Sequence, residues 1–333
     1  MPQLSVLVAA FDAAASIVPC LESIQSQTFE DWQCVVVDDG STDHTVKLVQ
    51  ELAEQDPRLV LLQRPHQGVV AARNAGIDAC VGSFIAIMDA DDIMLPDRLA
   101  AQLLAFELQP SLTAVGTRVC YMPRSAVGSG RAEYERWLNS QREPSDIRRE
   151  RYVEMPVGHP TLMFRAAALK SLRYRDMGWP EDWDLLLRLL DLGAEIGIVP
   201  QVLHHWQLAE STLSQHSSSY TIEAFARCRA AFLADGFLRD VDHYALVGYG
   251  NTGKRLRKDL RAFGKHCHLI SEVHPARIGK VIDGAQVVHH EDLTEHPIDK
   301  LLVSVAGTEA REAIRRMLQA VGLTEEDDFV FTA

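Results

Sequence analysis

Residues 4–41 read LSVLVAAFDAAASIVPCLESIQSQTFEDWQCVVVDDGS, and this stretch decides the fold. It holds two short, unbroken apolar runs, LSVLVAAF (4–11) and QCVVVDDG (33–40). Strands buried on both faces have this pattern, because neither face turns toward water. Between them, residues 14–27 carry apolar side chains at helical spacing. Strand, helix and second buried strand make a crossover unit whose two strands run parallel. The alternation continues outward. TDHTVKLVQELAEQ (42–55) reads as a helix opened by Thr42 or Asp43, RLVLLQR (58–64) as a strand and GVVAARNAGIDAC (68–80) as a helix. SFIAIMDADD (83–92) is a strand running into carboxylates, and LPDRLAAQLLAFEL (95–108), with Pro96 near its first turn, is a further helix. The expected fold class is α/β, with a mostly parallel sheet flanked by helices.

Beyond residue 110 the pattern loosens. A strand is expected at 113–122, helices at 131–142 and 145–152, and a short strand at 159–165. PEDWDLLLRLLDLG (180–193) is an amphipathic helix that stops at Gly193, and EIGIVPQVLHHWQL (195–208) is strand. A serine-rich break at 214–221 leads into a linker helix. From residue 241 a second α/β unit begins. The expected division is 1–215, a helical linker at 216–240, and 241–333.

Composition narrows the function. The chain has 333 residues, enough for two domains, and a formal net charge of -13. That balance argues against a nucleic-acid partner, which needs a basic surface. The six cysteines are scattered without CxxC spacing, as expected for free, mostly buried thiols in a reducing compartment. The N-terminus lacks the basic and apolar regions of a signal peptide, and no stretch approaches the ~20 apolar residues of a membrane span. A cytoplasmic protein is expected, at most peripheral to the membrane.

In an open parallel sheet, ligands bind beyond the carboxyl ends of the strands. Three strands here end in acid: Phe11-Asp12, Asp38-Asp39-Gly40-Ser41, and Asp89-Ala90-Asp91-Asp92. One such end reads equally well as a helix cap. Three on one edge repel one another unless a divalent cation sits among them. Asp-x-Asp offers oxygen ligands suited to Mg²⁺ or Mn²⁺, which in turn grip a diphosphate.

These segments, with GVVAARNAG, MDADD and PEDWDLLLRL in the same order, resemble the glycosyltransferase family 2 domain of GT-A fold from residue 4 to about 210. The resemblance implies a nucleoside-diphosphate-sugar donor, usually UDP-linked, a divalent metal, and inversion at the anomeric carbon. By position it implies that Ala9, Phe11 and Asp12 line the base and ribose pocket. Asp39 reads the nucleobase, and Arg73 lies near the nucleotide. Asp89, with Ala90 beside it, faces the ribose, Asp91 the metal, and Asp182 is the catalytic base, with Glu181 next to it. The residue chemistry agrees, since inversion needs one base for the acceptor hydroxyl. Asp182 at a helix start is expected to be held ionised by the helix dipole. Capping is the bland reading of Glu181 and Asp182, and Asp184 is expected to be structural. His159 and Trp179 are assigned to the acceptor side, where each is also readable as structure, and Trp183 to the core. In one place the chain departs from the family pattern. Trp206-Gln207-Leu208-Ala209 stands where an arginine and a metal- or diphosphate-binding histidine are often found, and His204, His205 or His216 are the candidates to compensate.

In the second unit, Gly248, Gly250 and Gly253 have G-x-G-x-x-G spacing between an apolar strand and a helix. Glu272 stands about where a ribose-binding acid belongs. VHPARIGKVIDGAQVV is similar to segments of small Rossmann domains attached to sugar-modifying enzymes. A nucleotide bound there and a packing or assembly role both stay open. The expected function is transfer of a sugar from a nucleotide-sugar donor to a saccharide or lipid-linked acceptor in cell-surface glycan synthesis. The alternative is a non-catalytic nucleotide-sugar-binding or regulatory protein. Oligomeric state stays open, a homo-oligomer included.

Overall fold

The computed structural model describes residues 1–208 and 217–333. The chain forms two compact units, each with its own sheet. The first comprises Met1–Ile147, Pro156–Met177 and Glu181–Thr212; the second comprises Arg148–Met155, Gly178–Pro180 and Leu213–Ala333.

The first unit opens with β1 (Leu4–Ala10), α1 (Ile17–Gln25), β2 (Trp32–Asp38), α2 (Thr45–Ala53), β3 (Leu59–Gln63), α3 (Val69–Ala79) and β4 (Phe84–Asp89). Then come β5 (Ile93–Met94), α4 (Arg98–Leu108), β6 (Leu112–Met122), α5 (Ser129–Leu138) and α6 (Pro144–Glu150), whose residues from Arg148 on group with the second unit. The series ends with β7 (Met163–Arg165), α7 (Ala166–Leu172), α8 (Glu181–Asp191) and β8 (Glu195–Gln207). Its eight-stranded sheet has the order β3-β2-β1-β4-β7-β6-β8-β5. β1 pairs in parallel with β2 and β4, and β2 with β3, whereas β7 is antiparallel to both β4 and β6. Leu4, Val6, Val8, Cys34 and Val36 are fully buried, as unbroken apolar strands require.

Several local expectations are corrected. The helix expected from residue 42 begins at Thr45, and Thr42 does not cap it; Asp43 Oδ1 accepts the Thr45 N–H at 2.9 Å. β4 stops at Asp89, so Ala90–Asp92 form a turn, closed by the Asp92 N–H on the Asp89 carbonyl at 3.2 Å. Pro96 precedes α4. Of the strand expected at 159–165 only Met163–Arg165 is extended, and His159–Thr161 is a 3₁₀ turn.

The second unit's six-stranded sheet contains β9 (His243–Val247), β10 (His266–Glu272), β11 (Val281–Ile282), β12 (Ala285–His289), β13 (Leu301–Val303) and β14 (Phe329–Phe331). Their order is β11-β12-β10-β9-β13-β14, all parallel except the short β11. The expected linear boundary gives way to an interleaved one. Residues 148–155 join this unit because Glu150 faces Arg315 at 2.9 Å and Arg148 faces Glu326 at 2.7 Å. The expected linker helix, Ile222–Asp235, is an integral part of this unit. Thr221 caps it through the Ala224 N–H, and Cys228, Ala230 and Leu233 are fully buried. All six cysteines are free, five of them buried. Among the described residues no helix is long and apolar enough to cross a membrane.

Candidate active site

Parallel pairing brings the acidic strand ends together. Ala9 on β1 is in register with Val37 on β2 and with Asp89 on β4, so the segments leaving these strands share one edge. Phe11 projects there, 48% exposed, with its ring 4.3 Å from that of His66. Asp12 has a left-handed backbone, φ +47°. Its carboxylate accepts the Thr42 N–H at 2.7 Å, and its own N–H donates to Ser41 Oγ at 2.9 Å. The buried Asp39 accepts the Gly68 N–H at 2.7 Å and the Gln67 N–H at 3.2 Å, and faces His66 Nδ1 at 2.9 Å. Two of the expected donor carboxylates therefore brace the loops of this edge, and the Phe11–His66 pair lies beside Asp39.

The turn after β4 is where like charges crowd. Carboxylate oxygens of Asp89, Asp91 and Asp92 all lie within 4.8 Å of one another. Burial, together with Asp89 and Asp92, pushes the Asp91 carboxyl up to about 7. The three are not equivalent. Asp92 is buried, and its oxygens are taken by His204 Nε2 and the Gln207 N–H, each at 2.8 Å. Asp89 and Asp91 remain partly exposed, with Ala90 buried between them.

Arg73 joins this turn to the start of α8. Its guanidinium donates to Glu181 Oε1 at 2.6 Å and to Asp89 Oδ1 at 3.2 Å. The neighbouring Asn74 exchanges two hydrogen bonds with the Tyr174 backbone, both at 3.0 Å. The Arg-Asn pair of α3 thus holds a motif and a loop about a hundred residues away. At the head of α8, Asp182 Oδ1 accepts the Trp183 N–H at 2.7 Å. The expectation that the helix dipole keeps this carboxyl low is overturned. Burial, and then Glu181, push it up to about 7, against the opposing pull of Arg73. A helix terminus contributes about 0.3–1 kcal/mol at an exposed site, whereas desolvation shifts a carboxyl by as much as ~3–5 units.

Asp184 is fully buried and bonded to Arg175 and Arg188, each at 2.7 Å, and Trp183 is in the core. His159 is 4% exposed, with Nε2 at 2.8 Å from the Tyr174 hydroxyl, so it packs beneath the surface. Trp179 groups with the second unit. Of the histidines named as compensating, His204 is consumed by Asp92 and by Arg98, whose Nη1 lies 3.1 Å from His204 Nδ1. His205 pairs in register with Ile93, and His216 lies outside the described residues. Sequence reasoning assigned no part to Arg98. Its signal was available: Arg98 and Gln102 are polar residues on the buried stripe of α4 that holds Leu99, Leu103 and Phe106.

In the second unit, Gly248 has φ +86°, and a Cβ there would lie 2.7 Å from the Ser304 carbonyl. A Cβ on Gly253 would overlap the Gly248 carbonyl, whereas at Gly250 it would meet nothing. Glu272 ends β10, but its carboxylate is already engaged. Oε1 accepts the Val273 N–H at 2.9 Å, and Oε2 faces Arg277 Nη1 at 2.6 Å, which also donates to the Tyr249 carbonyl at 3.0 Å.

Comparison with known proteins shows the family. The family model described as Glycosyl transferase family 2 matches residues 5–173. The chain is 27% identical to the putative glycosyltransferase EpsE of Bacillus subtilis over 67% of its length and 79% of that protein. It is 30% identical to the succinoglycan biosynthesis protein ExoO of Rhizobium meliloti over 75% of its length and 74% of that protein. Among solved structures, TarS 1-349 of S. aureus in complex with UDP-GlcNAc is similar with a TM-score of 0.56 and 20% identity, over 79% of this chain and 73% of that one. That likeness supports the α/β fold class. With its family segment spanning the strand ends, the turn of Asp89 and Asp91 and the Arg73 helix, this chain belongs to glycosyltransferase family 2.

Proposed function

We propose that the first unit is an inverting, metal-dependent transferase that moves a sugar from a nucleoside-diphosphate donor, UDP-linked, to a saccharide or lipid-linked acceptor in cell-surface glycan synthesis. The observation that carries this is the Arg73 bridge, which brings the Asp-x-Asp turn and the Glu-Asp helix start into one site.

The residues present suit a divalent cation. Asp89 and Asp91 keep carboxylate oxygens available on one turn, and the elevated Asp91 carboxyl marks repulsion that a cation relieves. Bound there, Mn²⁺ or Mg²⁺ supplies Lewis-acid charge for the departing diphosphate. Every other role belongs to the chain itself. Phe11 and His66 offer a stacking surface for the base. Arg73 fixes Asp89 and Glu181. Asp182 takes the proton from the acceptor hydroxyl as that oxygen attacks the anomeric carbon, and one such displacement inverts the centre. A carboxyl near 7 is a stronger base than an ordinary aspartate and is still about half ionised at neutral pH. This favours a transferase over a module that only binds the donor. Nucleotide sugars made in the cytosol place the reaction on the cytoplasmic side, at the inner face of the membrane when the acceptor is lipid-linked.

For the second unit we infer a Rossmann-like nucleotide-binding fold. Its parallel strands, numbered in chain order, run 3-2-1-4-5, with the glycine-rich turn after the first. Gly248, Gly250 and Gly253 form that turn, and Glu272 serves it as a brace through Arg277.

Calorimetric titration of nucleoside diphosphates, with and without Mn²⁺, tests the donor reading. Manganese-dependent binding of one nucleotide, lost in Asp91→Ala, supports it. Binding indifferent to both overturns it.

A further inference from the structure

We propose that Asp92, His204 and Arg98 form a positioning device for the cation-holding carboxylates Asp89 and Asp91, and that Asp92 is not itself a ligand. The inference rests on the donor-site reading above, which it deepens.

By type and spacing, Asp92 is as good a metal ligand as its neighbours. Its surroundings exclude it. Asp92 is 1% exposed, with Oδ2 at 2.8 Å from His204 Nε2 and Oδ1 accepting the Gln207 N–H at 2.8 Å. His204 is fully buried, and its other nitrogen, Nδ1, lies 3.1 Å from Arg98 Nη1. A guanidinium can only donate, so Nδ1 accepts, the ring proton sits on Nε2, and Nε2–H donates to Asp92. Arg98, also fully buried, sets the histidine tautomer. The tautomer in turn makes Asp92 an acceptor facing inward.

The same guanidinium returns to the strand that carries the site. Arg98 Nη2 donates to the Ile87 carbonyl at 2.8 Å, and Nε to Gln102 Oε1 at 3.2 Å. The turn is therefore pinned three times. Arg98 holds Ile87 ahead of it, the Asp92 N–H closes it on the Asp89 carbonyl at 3.2 Å, and His204 with Gln207 holds it from β8. Drawing Asp92 inward leaves Asp89 and Asp91 as the carboxylates with solvent access. A buried Arg-His-Asp set is a poor way to gain stability, since apolar residues of equal volume often do better. It is a good way to hold ligands to within the ~0.5 Å that a functional site needs. Gln207, the last residue of β8, reaches the site through its backbone N–H on Asp92.

The test reads Mn²⁺ binding directly, by electron paramagnetic resonance of free Mn²⁺ and by calorimetry with UDP present. It uses the full chain and Asp92→Asn, His204→Leu, the double variant and His204→Gln. Outer partners of metal ligands are worth about 10–100-fold in affinity. We expect Asp92→Asn and His204→Leu each to weaken Mn²⁺ about tenfold or more, and the double variant to lose no more than the worse single one. His204→Gln, which keeps one acceptor and one donor, recovers most of the affinity. Thermal melting identifies any variant that fails to fold. In that event the isosteric Asp92→Asn and the conservative His204→Gln decide by the same readout. Affinity lost in Asp92→Asn but unchanged in His204→Leu overturns the inference and makes Asp92 a ligand. Lower melting temperatures with unchanged Mn²⁺ affinity also overturn it, as a purely structural network. Wild-type protein that shows no Mn²⁺-dependent UDP binding overturns the donor-site reading and this inference with it.

Discussion

The two sheets present the same kind of edge, the carboxyl ends of parallel strands, and treat charge there in opposite ways. On the first, burial, with Asp89 and Asp92 beside Asp91 and Glu181 beside Asp182, pushes both carboxyls up to about 7. On the second, Glu272 has backbone N–H groups on one oxygen and Arg277 on the other. Placement beyond strand ends is common to both. What differs is whether the protein neutralises its own acid. An edge that leaves like charges in tension is arranged for something that arrives, a proton or a cation. An edge that satisfies its acid internally is holding a loop.

The largest effect expected under this contrast is at Asp182. Asp182→Asn should slow transfer by about 10²–10⁴-fold, the span of general base catalysis, with Mn²⁺-dependent donor affinity nearly unchanged; a transfer assay beside calorimetry checks both. A fully active variant breaks the contrast at its centre. Next is Asp91→Ala, which should lower UDP affinity in Mn²⁺ by more than about tenfold, or 1.4 kcal/mol, down to the level seen without the cation. The third test is pH. A base is competent when deprotonated, and Asp182 is raised from 3.8 to about 7. The kcat/KM should therefore fall as pH drops through 7, tenfold per unit below it, and level off above. A profile flat between pH 5 and 8 would restore the expectation of an unraised carboxyl.

On the second edge smaller effects are expected, and they should appear as stability. Gly253→Ala drives a Cβ into the Gly248 carbonyl and should cost about 1–3 kcal/mol, read by urea unfolding of the second unit, with transfer unaffected. The smallest is Glu272→Gln, which weakens a part-exposed ion pair and should cost less than about 1 kcal/mol. A large loss of nucleotide binding from Glu272→Gln would instead make the second edge a ligand site like the first.

Much of the first site was legible because its signals are local. Unbroken apolar runs named the buried strands, and parallel pairing then required Ala9, Asp39 and Asp89 to emerge on one side. The part played by each carboxylate was not legible. Asp12, Asp39, Asp89, Asp91 and Asp92 look alike in the chain, yet two brace loops, one is bound to a histidine, and two remain at the crevice. Nor did the sequence show that His159 lies under the surface on Tyr174, or that residues 148–155 belong with the second sheet.

By itself, then, the sequence determined the alternation of strands and helices, the direction of the strands and which motifs stand at their ends, because these follow from the period of apolar residues and from the glycines and acids that punctuate it. Tertiary structure alone decided which carboxyls burial pushes up, which are spent as braces, and that Arg73 bridges two distant motifs. Desolvation depends on how the whole chain packs, and the hydrogen-bond partners that fix these groups come from residues more than a hundred positions away.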